Sequence, residues 1–299
     1  METVVVTGAG GRSGRWIAAR LAEEYEVVCV DLSHPGFEVD ARENVDFRAA
    51  DLSDRGEALD LLAGLDPDAV VHWANLPSPT RHAGGRVFET NVLATYNTLV
   101  GAGRADARVV WASSESAYGF AFAEEKSVPD ELPVTEAHEL RPEDPYGASK
   151  AAGEEVAKMV SRRFDVRVAS IRPSWIQYPG EYNCRDVAAS ADISGGAGNW
   201  WSYVDVRDVA GLVAAALDAD TGFAGHEAFH AAAADNYLGW PTVEAVRECF
   251  GEAPADCSLD GEESALSTAK AEELLGWTPA HSWRDAADAD VPAPTLYEG

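Results

Sequence analysis

Along the first half of the chain, short apolar runs alternate with stretches in which apolar residues recur every three to four positions. The runs have the length of strands and the stretches the length of helices, the pattern of parallel β-α-β construction. It predicts strands at 3–7, 27–31, 45–48, 69–72, 108–113 and 166–171, with helices near 12–22, 54–63, 86–102 and 145–164. Parallel strands joined by crossing helices make an α/β fold with a doubly wound parallel sheet, covered on both faces.

The regularity weakens after Ile171. Arg172-Pro173 breaks the pattern, and a Gly- and Trp-rich stretch runs to Trp201 before a strand at 203–206 and a helix at 207–219 restore it. The expected organisation is a nucleotide-binding domain of residues 1–172 and 202–221 carrying a small substrate-binding cap of 173–201 and 222–299. From Asp285 onward the chain reads as a loosely held tail.

A chain of 299 residues, 46% of them hydrophobic, can bury a sizeable core. Charge changes the picture more. Asp and Glu number 51 against 23 Lys and Arg, a formal net charge of -28, and the lysines are Lys126, Lys150, Lys158 and Lys270 alone. Such a surface repels nucleic-acid phosphates, so nucleic acid is disfavoured as a partner. It also repels itself until salt screens it, and a halophilic setting is expected. The sequence shows no membrane-length apolar run and no signal peptide. Cys29, Cys184, Cys249 and Cys257 have neither metal-ligand nor CxxC spacing. A cytoplasmic protein is expected, without disulfides, a bound metal or a membrane span.

Candidate chemistry begins directly after the first predicted strand, with Thr7-Gly8-Ala9-Gly10-Gly11-Arg12-Ser13-Gly14. Glycines at 8, 11 and 14 allow a tight turn, close backbone approach to a pyrophosphate and packing of helix on strand, while the helix N-terminus favours the phosphate charge. Asp31 ends the second strand, where a carboxylate accepts hydrogen bonds from the adenosine ribose, which points to NAD. Arg12 keeps NADP open, because a guanidinium in this loop suits a 2′-phosphate. Asp51-Leu52 is placed beside the adenine, with Asp51 alternatively a helix cap.

Tyr146-Gly147-Ala148-Ser149-Lys150 sets a phenol and an ammonium four residues apart, on one face of a helix. A nearby Lys charge favours the phenolate and brings Tyr146 toward use as a base. Trp111-Ala112-Ser113-Ser114 ends a strand, where a hydroxyl can hold a substrate oxygen beside that phenol. Ser113 and Ser116 are the alternatives to Ser114.

These motifs resemble the extended short-chain dehydrogenase/reductase family across nearly the whole chain. The resemblance rests on TGAGGRSG at 7–14, Asp31, Asp51-Leu52, VVHWAN at 70–75, Asn91-Val92, SSESAYG at 113–119, YGASK at 146–150, Ile171-Arg172-Pro173, YVDVRDVA at 203–210 and LLGWTP at 274–279. It implies a Rossmann domain with Ser114, Tyr146 and Lys150 as the catalytic set. Asn91 supports them, and Gly8, Gly11, Arg12, Ser13, Gly14, Asp31, Asp51 and Leu52, with Tyr146 and Lys150, bind the cofactor. It also implies a homodimer or homotetramer built through the helices at 86–102 and 145–164.

Sugar-nucleotide dehydratases of this family carry an adjacent Asp-Glu pair after the catalytic hydroxyl, where this chain has Glu115 and Ser116. Sugar-nucleotide epimerases are longer after the Arg-Pro motif, where this chain has a short connection with Arg185 its one basic residue. The segment from Trp175 to Arg185 is similar to the corresponding region of uronate dehydrogenases, and the overall layout to L-arabinose-type aldose dehydrogenases of salt-loving archaea. The expected activity is therefore oxidation of a small free sugar, an aldose or uronate, to its lactone; a sugar-nucleotide epimerase or dehydratase is the alternative. Ser78, Ser114, Glu115, Trp175, Asn183 and Arg185 are the expected substrate contacts, with Trp200 and Trp201 as further stacking candidates and His82 a weaker one.

Overall fold

Val4, Val5 and Val6 are fully buried, yet Val4 and Val6 join one apolar cluster and Val5 another. Successive strand side chains point to opposite faces, so an uninterrupted valine run requires a sheet covered on both sides. The computed structural model, which describes every residue except 35–39, 42, 79, 191, 219 and 299, has that architecture. Its main sheet contains β1 (Thr3–Thr7), β2 (Glu26–Asp31), β3 (Val45–Ala49), β4 (Ala69–His72), β5 (Arg108–Ala112), β6 (Val168–Pro173) and β7 (His226–Ala231), in the order β7-β6-β5-β4-β1-β2-β3. All six pairings are parallel. The order reverses between β1 and β4, and such a switch point opens a crevice at the carboxyl ends of the strands.

The helices are α1 (Gly14–Leu21), α2 (Arg55–Leu65), α3 (Gly84–Arg104), α4 (Pro145–Phe164) and α5 (Val206–Leu217), with shorter ones in the remainder of the chain. Ile17 and Leu21 of α1 and Val209, Leu212 and Val213 of α5 cover one face; Leu62, Leu99 and Val160, from α2, α3 and α4, cover the other. A third cluster, with Trp200, Trp201, Tyr203 and Tyr237, also takes Tyr118, Phe120, Leu132 and Val134 from the segment after β5. Among the described residues no helix is long and apolar enough to cross a membrane.

Four places differ from the sequence pattern. Arg172-Pro173 does not end the sixth strand, which runs through both residues beside β7, with the Ser174 amide donating to the Ala231 carbonyl. Strand β7 lies inside the range expected to be cap, and its run His-Glu-Ala-Phe-His-Ala, without a β-branched residue, carries little strand signal. The segment after Asp285 is docked rather than loose: Leu296 is 4% exposed and Tyr297–Glu298 pairs antiparallel with Asp40–Ala41. The helix expected at 207–219 runs from Val206 to Leu217, and Ala219 lies outside the described residues.

Candidate active site

Two features aim α4 at the crevice. Asp144 caps its N-terminus, accepting from the Tyr146 and Gly147 amides at 2.8 and 3.0 Å, and Pro145 occupies the first turn. Gly153 then lets the helix settle on β5, since a Cβ there would meet the Trp111 ring at 2.5 Å. Tyr146 and Lys150, one turn apart, thereby face the carboxyl end of β5. Lys150 donates from Nζ to the Ala112 carbonyl at 2.7 Å and lies 5.4 Å from the Tyr146 ring centroid.

Ser114 shares a side-chain hydrogen bond with Tyr146, and its Oγ accepts the Ser116 amide at 3.1 Å. The rival hydroxyl of Ser113 is committed elsewhere, donating to Glu154 at 2.7 Å. Behind this site, Arg172 donates to both oxygens of Glu154, at 2.8 and 2.7 Å, and to the Glu136 carbonyl at 3.0 Å; the Arg172–Glu154 pair is almost wholly buried.

The electrostatics correct one expectation. Burial raises the Tyr146 phenol to about 12, with the Ser114 hydrogen bond opposing that rise and the carboxylates of Asp144 and Glu115 adding to it. Lys150 is not among the groups that lower it; burial instead brings the ammonium itself down to about 7. Desolvation disfavours both charges, and here it outweighs their attraction. Burial likewise holds the Glu115 carboxyl well above its usual range, against a hydrogen bond with Asn199.

The glycine-rich turn leads from β1 into α1. Gly8 has φ +67°, and a Cβ on Gly14 would stand 2.0 Å from the Gly8 carbonyl oxygen, so turn and helix meet at a distance only glycine permits. The first turn of α1 carries no acidic residue and Ser13 makes no side-chain cap, so the partial positive charge of the helix N-terminus is left for an anion. The Asp31 carboxylate at the end of β2 accepts the Gly10 amide at 3.0 Å. Pyrophosphate at the α1 N-terminus and ribose at Asp31 therefore fit the residues present, as a dinucleotide requires.

Arg12 is turned to the other side: it pairs with Glu181 at 2.6 Å and stacks on Tyr178, 4.0 Å from the ring centroid. Asp51 accepts from the amide and hydroxyl of Ser53 at 2.9 and 2.6 Å, and Leu52 is buried in the core. Asn91 clamps Leu76, accepting its amide at 2.8 Å and donating to its carbonyl at 3.1 Å, and so fixes the segment that follows β4.

A cavity of about 670 Å³ joins these parts. Ser78, Ser114, Glu115, Tyr146, Trp175 and Asn183 line it, together with Arg12 and Ser13. Arg185 does not: it points to Asp288, which it pairs with at 2.7 Å. His82 is also off the cavity, and Trp200 and Trp201 are buried in the third cluster, with Trp200 packed 4.6 Å from Phe120. Ser174, Asn199, Tyr237, Arg81 and Lys126, none of them expected as a site residue from the sequence, line the same cavity. Ser174 directly follows Arg-Pro and could have been found from that motif; Tyr237 arrives by tertiary packing and has no local signal.

Residues 4–231 match the model of the NAD dependent epimerase/dehydratase family. A putative UDP-glucose 4-epimerase of Methanocaldococcus jannaschii is 31% identical over 176 residues, 57% of this chain and 55% of that protein, so the chain spans about half of its length. An L-arabinose 1-dehydrogenase (NAD(P)(+)) of Haloferax volcanii is 30% identical over 182 residues, 59% of this chain and 68% of that protein. A crystal structure of UDP-galactose 4-epimerase superposes with a TM-score of 0.67 at 28% identity, covering 96% of both chains.

Proposed function

The chain belongs to the NAD dependent epimerase/dehydratase family, and from that membership we propose that it is a sugar 1-dehydrogenase, oxidising a free aldose or uronate at the anomeric carbon to its lactone with NAD as acceptor. The observation that carries this reading is a set of four buried atoms without hydrogen-bond partners, Asn75 Oδ1, Glu115 Oε2, Ser174 Oγ and Tyr237 Oη, all from residues lining the cavity of Tyr146 and Ser114. Each such group costs about 1–3 kcal/mol while unmatched, so the site suits a ligand dense in hydroxyls. Burial raises the Glu115 carboxyl and so favours its protonated form, which donates as well as accepts.

In this reading Ser114 holds the anomeric hydroxyl against Tyr146, and Tyr146 takes its proton. Lys150, fixed by the Ala112 carbonyl, orients that exchange and would hold the ribose of a bound nicotinamide. The nicotinamide, when bound, would supply the acceptor for the hydride leaving C1. Lactone, reduced cofactor and one proton balance the reaction.

One feature favours a free sugar over a sugar nucleotide: Arg185, the one basic residue between Ser174 and Tyr203, lies off the cavity and is unavailable to a diphosphate there. Arg81 and Lys126 line the cavity without an ion pair among the described residues and suit an anionic group, which in this reading is the carboxylate of a uronate. The test is a screen of aldoses, uronates and UDP-sugars with NAD and NADP. Accumulation of reduced cofactor with a free sugar supports the reading; conversion of a UDP-sugar without it, and no activity on free sugars, replaces it by the epimerase or dehydratase reading.

A further inference from the structure

A second cavity, of about 320 Å³, lies beside the glycine-rich turn. Gly10, Asp31 and Ser33 form one side of it, and Pro294, Thr295 and Leu296 the other. The second group comes from a segment more than 250 residues away in sequence, which the pattern of the chain marked only as a loose tail. It is anchored at one point by Leu296, whose side chain joins the apolar cluster containing Val27 and Cys29 of β2, and at another by the two-residue pairing of Tyr297–Glu298 with Asp40–Ala41.

We propose that residues 293–296 are part of the cofactor site, forming the outer wall against which the adenosine ribose lies, and that their opening gates cofactor exchange. Gly10 and Asp31 connect the wall to the ligand. They are linked to each other at 3.0 Å, they flank the place where the ribose hydroxyls must meet the Asp31 carboxylate, and both border this cavity. A dinucleotide seated with its pyrophosphate on α1 therefore brings its adenosine end against the opposite side, which is Pro294, Thr295 and Leu296. Pro294 fixes its own φ and Leu296 is seated in the core, so the wall is preformed at little ordering cost to the bound state. Among the described residues the segment is anchored by one buried side chain and two paired residues, and a segment so held opens locally while the sheet beneath stays folded.

The wall rests on NAD binding alone. The gate rests on the dehydrogenase reading as well, because only net oxidation releases a reduced cofactor at every turnover. The experiment compares the full chain with one ending at Asp290, titrating NAD, ADP-ribose and NMN by calorimetry and following NADH release by stopped-flow fluorescence. The expected result is a loss of affinity of about tenfold for NAD and ADP-ribose alike, the scale of one buried apolar contact, with NMN unchanged and NADH release faster by a similar factor. Unchanged affinity for NAD and ADP-ribose overturns the wall, and unchanged NADH release overturns the gate.

If the shortened chain does not fold, hydrogen exchange of the full chain decides. ADP-ribose must slow amide exchange at 295–298, and exchange indifferent to it overturns the proposal. None of these measurements needs a sugar, so failure of the dehydrogenase reading, seen as no oxidation of any free sugar, is distinguishable from failure of the wall.

Discussion

At Tyr146 a buried phenol meets an ammonium that burial has brought down to about 7. A phenol that burial raises to about 12 keeps its proton at neutral pH, and oxidation needs a base there, so kcat/KM should climb with pH across the neutral and alkaline range rather than level near 7, read from a pH–rate profile of the wild-type enzyme. Tyr146→Phe deletes one oxygen used only for proton transfer. It should lower kcat by about 10²–10⁴-fold while leaving the dissociation constant for NAD unchanged by calorimetry. The Tyr-x-x-x-Lys spacing and the hydroxyl at Ser114 were legible because four residues are one helical turn and a strand end faces the crevice. Arg185 was misjudged for a complementary reason. A basic residue in a short acidic chain segment attracts a functional reading, whereas Asp288, 103 positions away, takes its charge.

Three elements meet behind the site, and one side-chain cluster ties them together. Glu154 from α4 accepts from Ser113, just beyond β5, and from Arg172 on β6, and it stands two turns beyond Tyr146 on the same helix. Arg172→Met leaves the Glu154 carboxylate buried without its cation. The expected cost is about 3–5 kcal/mol of stability, read from urea unfolding, because breaking a buried pair strands a charge. Helix α4 was predicted from its first residue to its last, since Asp144, Pro145 and the apolar spacing are local signals. Strand β7 and the wall at 293–296 were missed because they hold their places through partners elsewhere in the chain: β6 for the strand, β2 and Asp40–Ala41 for the wall. Tertiary contacts of that kind leave no period in the sequence.

For the whole molecule the governing quantity is a formal charge of -28. Phe88, Leu93 and Tyr96 leave apolar area exposed on α3, beside α4, a helix pair suited to packing against its copy across a two-fold axis. Salt should favour that association by screening the acidic surfaces. We therefore expect sedimentation in molar salt to give a dimer or larger species, and desalting to dissociate it or lower its melting temperature. A monomer equally stable at both salt concentrations would remove the halophilic, oligomeric picture without touching the chemistry.

The chemistry itself turns on where the hydrogen at the anomeric carbon goes. A free aldose or uronate carrying deuterium at C1, incubated with the enzyme and NAD, should yield its lactone and reduced nicotinamide bearing that deuterium, one for each sugar consumed. If free sugars keep their label and a UDP-sugar is instead converted with no reduced cofactor accumulating, the dehydrogenase account is contradicted.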